Sequence, residues 1–110
     1  MGVMLMLKRN ITYHISEDRL NRALFIMQTI GIGEIIKEEP IPNDKGMTWQ
    51  CLTNTGVILI LNENKTMCIT LYIAQQAKVS AMYRGKTPSW VFNMVKKNRK
   101  YAEMQNKVRF

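Results

Sequence analysis

His14, the only histidine of the chain, is followed by Arg19 and Arg22 in a His-x-x-x-x-Arg-x-x-Arg pattern. An imidazole beside two guanidinium groups suits acid–base work on a phosphodiester. The imidazole moves the proton, and a guanidinium holds the charge that develops on the phosphate. Without that chemistry, the same residues are a histidine that hydrogen-bonds locally and two solvated arginines. Thr70 and Tyr72 share a strand face with Cys68 and would complete a polar patch, although paired hydroxyls are common on ordinary strands. Gly31-Ile32-Gly33 lacks the lysine and the spacing of a P-loop. Paired carboxylates and a nucleophile elbow are missing from the sequence. Cys51 and Cys68 have no third cysteine or histidine near them, so they make no zinc pattern and read as buried free thiols. Any enzyme here would work without a metal or a cofactor.

The second chemistry-bearing feature is electrostatic. Of 110 residues, the first 77 hold seven basic and seven acidic side chains. Residues 78–110 hold nine basic side chains against Glu103 alone, so the whole net charge of +8 sits in the last third. A field segregated in this way attracts polyanions and releases their counterions on contact. The candidate phosphate-binding residues are Arg84, Lys86, Lys96, Lys97, Arg99, Lys100, Lys107 and Arg109. Phe92 falls among them, where an aromatic ring can stack on a base. Read plainly, the same segment is a solvated basic helix.

These residues must be positioned by a single domain over 1–110, since a chain of this length folds around one core. Ser16 is a good N-cap, with Glu17 and Asp18 placed where the helix dipole favours negative charge. Leu20, Ala23, Leu24, Met27 and Ile30 then follow the spacing of a core-facing helix, which Gly31 ends. Pro40, Pro42 and the turn chemistry of Asn43-Asp44-Lys45-Gly46 make 34–47 an irregular connection, so residues 1–47 read as a helix with that connection. An antiparallel meander is expected over 48–73, from strands at 48–54, 57–61 and 66–73. In the last strand Met67, Ile69, Leu71 and Ile73 would face one way and Cys68, Thr70 and Tyr72 the other. The run from Val57 to Leu61 suits a central strand covered on both faces. Residues 74–110 form a basic helical region. Its last helix is expected to be capped by Thr87, to start at Pro88, and to bury Trp90, Val91, Met94, Val95, Asn98, Tyr101 and Ala102.

The opening MGVMLML is too short for a spanning helix, its charge follows it, and position 6 lacks the hydroxyl of a myristoylation signal. It reads as a short strand or an apolar edge cover in a cytoplasmic protein without a membrane partner. The expected fold class is α+β: an N-terminal helix, a three- or four-stranded antiparallel meander, and two C-terminal helices.

Taken together, the His14–Arg19–Arg22 element entering a helix and a meander ending in Ile69-Thr70-Leu71-Tyr72 resemble a known group. It is the compact metal-independent ribonuclease fold of RelE-type and BrnT-type toxins and their small phage relatives, matched over about residues 11–73. The resemblance implies a helical layer on one face of an antiparallel sheet and RNA cleavage by His, Arg, Lys, Tyr or Thr side chains. On this chain the matching positions are His14, Arg19, Arg22, Thr70 and Tyr72.

The leading expectation is therefore a small basic protein of a mobile element that binds or cleaves RNA, with an antitoxin as a possible protein partner. The alternative is a non-enzymatic inhibitor of a host nucleoprotein machine, such as a CRISPR effector, docking through its basic C-terminal helix. A helix-mediated protein–protein module without nucleic acid is the third reading.

Overall fold

The computed structural model describes residues 2–8 and 10–105, apart from the side chains of residues 2, 3, 15–19 and 105. Within them the chain runs β1 (Gly2–Lys8), β2 (Ile11–Ser16), α1 (Glu17–Thr29), β3 (Ile35–Asn43), β4 (Gly46–Thr53), β5 (Val57–Leu61), β6 (Met67–Ile73), α2 (Gln76–Met82), α3 (Ser89–Lys97) and α4 (Arg99–Gln105). The strands form one six-stranded sheet in the order β1-β2-β6-β5-β4-β3. β2 and β6 run parallel, and all other neighbours are antiparallel.

The expected fold class is thus corrected. The sheet is mixed and larger than a meander, and two strands precede α1. The hairpin of β1 and β2 turns at Asn10, which adopts the left-handed φ of 70° that asparagine tolerates. The connection read as irregular is β3 with the start of β4. Pro40 and Pro42 exclude a central strand, but β3 is an edge strand, where a proline that cannot donate faces no partner.

The strands alternate between two cores. On the inner face, Leu7, Ile11, Tyr13, Cys51, Val57, Leu59, Leu61, Cys68, Leu71 and Ile73 are buried with Ala23 and Ile26 of α1 and Ala102 of α4. On the outer face, Leu52 and Ile58 are buried with Val79 and Met82 of α2 and Val91 and Val95 of α3. β5 contributes to both, as expected of its continuous apolar run. The expected alternation of β6 needs a correction. Ile60 pairs with Thr70 while Leu61 pairs with Cys68, so Ile69 is an extra residue in a bulge. The bulge reverses the phase: Cys68 joins Leu71 and Ile73 inside, and Met67 and Ile69 are left exposed.

The sheet also curls. Lys8 ends β1 at one edge, yet its Nζ lies 2.6 Å from the Gly33 carbonyl and 2.9 Å from Glu34, just ahead of the opposite edge strand. In a flat sheet five strand spacings would hold the edges about 24 Å apart. A lysine side chain spans that gap only if the sheet bends the two edges towards each other. The outer face stays open over β1 and β2, where Met4 and Met6 are 66% and 70% exposed. Among the described residues, no helix is long and apolar enough to cross a membrane.

Candidate nucleic-acid interface

β2 has no bulge beside Tyr13, and Tyr13 is buried in the inner core with α1. Strand alternation therefore turns the exposed His14 to the outer face. Thr70 and Tyr72 share that face: they pair with Ile60 and Ile58, which belong to the outer core. Arg22, also exposed, sits on α1, the helix that fills the inner face. The side chain of Arg19 lies outside the described residues, but its backbone belongs to the same helix. The structure thus groups His14, Thr70 and Tyr72 on one side of the sheet and sets the helix bearing both arginines on the other. Tyr72 is half-buried against the outer core, and burial raises its phenol above the ordinary value. Its hydroxyl is correspondingly harder to ionise.

The C-terminal third is arranged differently. α2 ends where Arg84 and Gly85 both take positive φ, 53° and 79°. The Gly85 N–H donates to the Ser80 carbonyl at 2.9 Å and the Lys86 N–H to the Tyr83 carbonyl, also at 2.9 Å. This closed turn sets Arg84 and Lys86 in solvent. Pro88 then occupies the N-cap of α3 and its carbonyl accepts the Phe92 N–H at 3.0 Å, so the helix begins one residue later than its sequence suggests.

On α3, Val91 and Val95 face the outer core while Asn93, Lys96 and Lys97 form the crest away from it. Trp90 and Phe92 lie on opposite flanks of that crest and are 55% and 46% exposed. Trp90 and Val91 were both expected in the core, and this is corrected for Trp90: Val91 is buried and Trp90 is not. An i, i+3, i+4 stripe accepts either neighbour at its border, so periodicity alone left the choice open.

Asn98 separates α3 from α4 and fixes both. Its buried side chain donates from Nδ2 to the Thr55 carbonyl at 2.7 Å, in the turn between β4 and β5. Gly56 in that turn has φ +88°, and a Cβ there would stand 2.6 Å from the same Nδ2. Thr55 in turn donates from Oγ1 to the carbonyls of Gly31 and Ile32, after α1. The basic region is therefore pinned to the sheet by a buried polar contact as well as by its valines.

Lys78, Arg84, Lys86, Lys96, Lys97, Arg99 and Lys100 are all exposed. Arg99 pairs with Glu103 at 3.7 Å, an exposed one-turn contact of small worth. Lys107 and Arg109 lie outside the described residues. Low sequence separation made this cluster visible before the fold was known. What the sequence did not reveal is that Trp90 stands out in solvent beside it. No protein-family profile, no curated protein and no solved structure matches this chain.

Proposed function

We propose that this chain is a non-catalytic nucleic-acid-binding protein of the cytoplasm, docking on phosphates through the helical region α2–α4. One observation carries the reading: seven exposed cations, Lys78, Arg84, Lys86, Lys96, Lys97, Arg99 and Lys100, stand within 23 residues that hold no acidic side chain. Such a surface is repelled by the basic groove of a nucleoprotein machine, and nucleic acid is the complementary partner. RNA is the favoured form. Cleavage at His14 is disfavoured, because Arg22, which would hold the phosphorane-like charge, is carried on the helix that covers the far side of the sheet.

The test is a salt titration with a fluorescent oligonucleotide. Binding should weaken steeply with salt, and Ala at Lys96, Lys97 or Lys100 should lower the log–log slope by roughly 0.7–0.9 for each contact removed. Absence of binding at low salt would overturn the proposal.

A further inference from the structure

We infer that the nucleic acid is single-stranded, and that two of its bases stack on Trp90 and Phe92. This rests on the polyanion reading above and goes further, since phosphate contacts alone do not choose between one strand and two. The fold makes little use of either ring. Val91 and Val95, on the same helix, are 0% and 2% exposed and do the packing, while both aromatics leave about half their surface in water. A large ring so exposed gains from any flat apolar partner, and a nucleobase is one.

The surroundings select that partner over an apolar protein surface. Lys96 lies one helical turn from Phe92, and Lys97 two turns from Trp90. Phe92 thus has an exposed lysine one turn away, and Trp90 has one on its own face about 10 Å along the axis, so a strand whose bases lie on the rings brings its phosphates to lysines. The rings flank the α3 crest, about a helix diameter of 10 Å apart, too far to clamp one base between them. They serve two bases of one strand, with the lysines of the crest facing the phosphates between. A duplex keeps the faces of its bases stacked internally and presents phosphates only, so it would use the lysines and leave the rings idle.

The experiment uses full-length protein carrying Trp49→Phe, so that Trp90 is the sole tryptophan. Trp49 lies on β4, donates from Nε1 to the Glu63 carbonyl and sits under Lys65, away from α3. Titration with a 15-mer oligouridylate should quench Trp90 emission, while a 15-base-pair RNA duplex should bind without quenching it. Trp90→Ala and Phe92→Ala, each in the otherwise unaltered chain, should weaken single-strand binding about 5- to 150-fold per ring, with the salt slope and duplex affinity unchanged. Trp90→Phe should recover part of the loss. Circular dichroism should show both alanine variants folded, as their exposure implies. Equal affinity for strand and duplex, with no quenching and no loss in either variant, would overturn the stacking inference and leave the polyanion reading standing. Absence of binding to both nucleic acids would remove the two together.

Discussion

The chemistry read at His14 needs side chains from β2, α1 and β6, whereas the cations of the last third come from one continuous stretch of chain. Topology treats these two regions differently. A constellation spread over several elements depends on which face each strand offers, and β2 turns Tyr13, not His14, towards α1. A cluster on consecutive helices depends only on local periodicity and on what covers the buried side. The first was dispersed across the sheet and the second was kept together. The lesson is that a short-range charge pattern survives folding, while a proposed catalytic set must first survive strand parity.

The sharpest way to break this contrast is to reverse charge in each region. Lys96→Glu, Arg99→Glu and Lys100→Glu together should abolish RNA binding at physiological salt. Arg22→Glu, an equally exposed arginine on the opposite layer, should change affinity by less than about threefold, as a charge beyond the screening distance does. Anisotropy titrations of the two variants decide it. Equal losses would mean that the binding surface wraps around the domain.

Stability offers the next contrast, between neighbours on α3. Val91→Ala should cost about 2 kcal/mol, from buried methyl groups and the cavity they leave. Trp90→Ala should stay within about 0.5 kcal/mol, as an exposed substitution does. Asn98→Ala should cost about 1–3 kcal/mol by orphaning the Thr55 carbonyl inside the domain. Urea midpoints measure all three. A large loss at Trp90 would place it in a structural role and weaken the stacking argument.

Much of this architecture was legible in the residues. The helix over 17–29, the strand over 57–61 and the helical character of the last third follow from periodicity and turn chemistry, whereas the break at Asn98, which divides the expected last helix into α3 and α4 and makes three C-terminal helices of two, does not. The opening segment reads as a short strand or edge cover, but β2 and its hairpin with β1 did not follow, because residues 11–16 precede the helix cap directly and Asn10 is a lone turn residue. Nor did the parallel pairing of β2 with β6, which joins segments more than fifty residues apart and has no local marker. The bulge at Ile69 was hidden for a related reason: unbroken alternation of Met67, Ile69, Leu71 and Ile73 looks the same with or without an extra residue. The candidate phosphate surface was visible as charge and so was Phe92 within it, but Trp90 was assigned to the buried side of the helix.

A smaller effect is expected from the buried thiols, which belong to the inner core and not to either candidate surface. Both are buried and free. Burial pushes Cys51 up to about 11 and Cys68 up to about 12. An unfolded thiol ionises near 8.5–9, so the unfolded chain releases these protons first as pH rises. The folded state is then disfavoured from about pH 9 upward, by at most about 1.4 kcal/mol per pH unit for each thiol, until the folded thiols ionise too. Urea midpoints between pH 8 and 10 should fall more in the wild type than in a Cys51→Ala, Cys68→Ala double variant. Identical pH dependence would show that the thiols are not held in the core.

The least effect of all is expected at His14, and it is the result that separates the two regions most cleanly. His14 is exposed on the open part of the outer face, between Met4 of β1 and the bulge of β6. Its substitution removes no core contact, so stability should move by no more than about 0.5 kcal/mol. It carries no share of the basic surface, so RNA affinity should stay within about twofold. A general acid–base residue behaves otherwise: its loss lowers the rate by roughly 10²–10⁴. Incubating wild type and His14→Ala with labelled RNA from pH 5 to 8, in the presence of a chelator, should leave the RNA intact in both. Metal-independent cleavage by the wild type that disappears in the variant would bring the ribonuclease reading back.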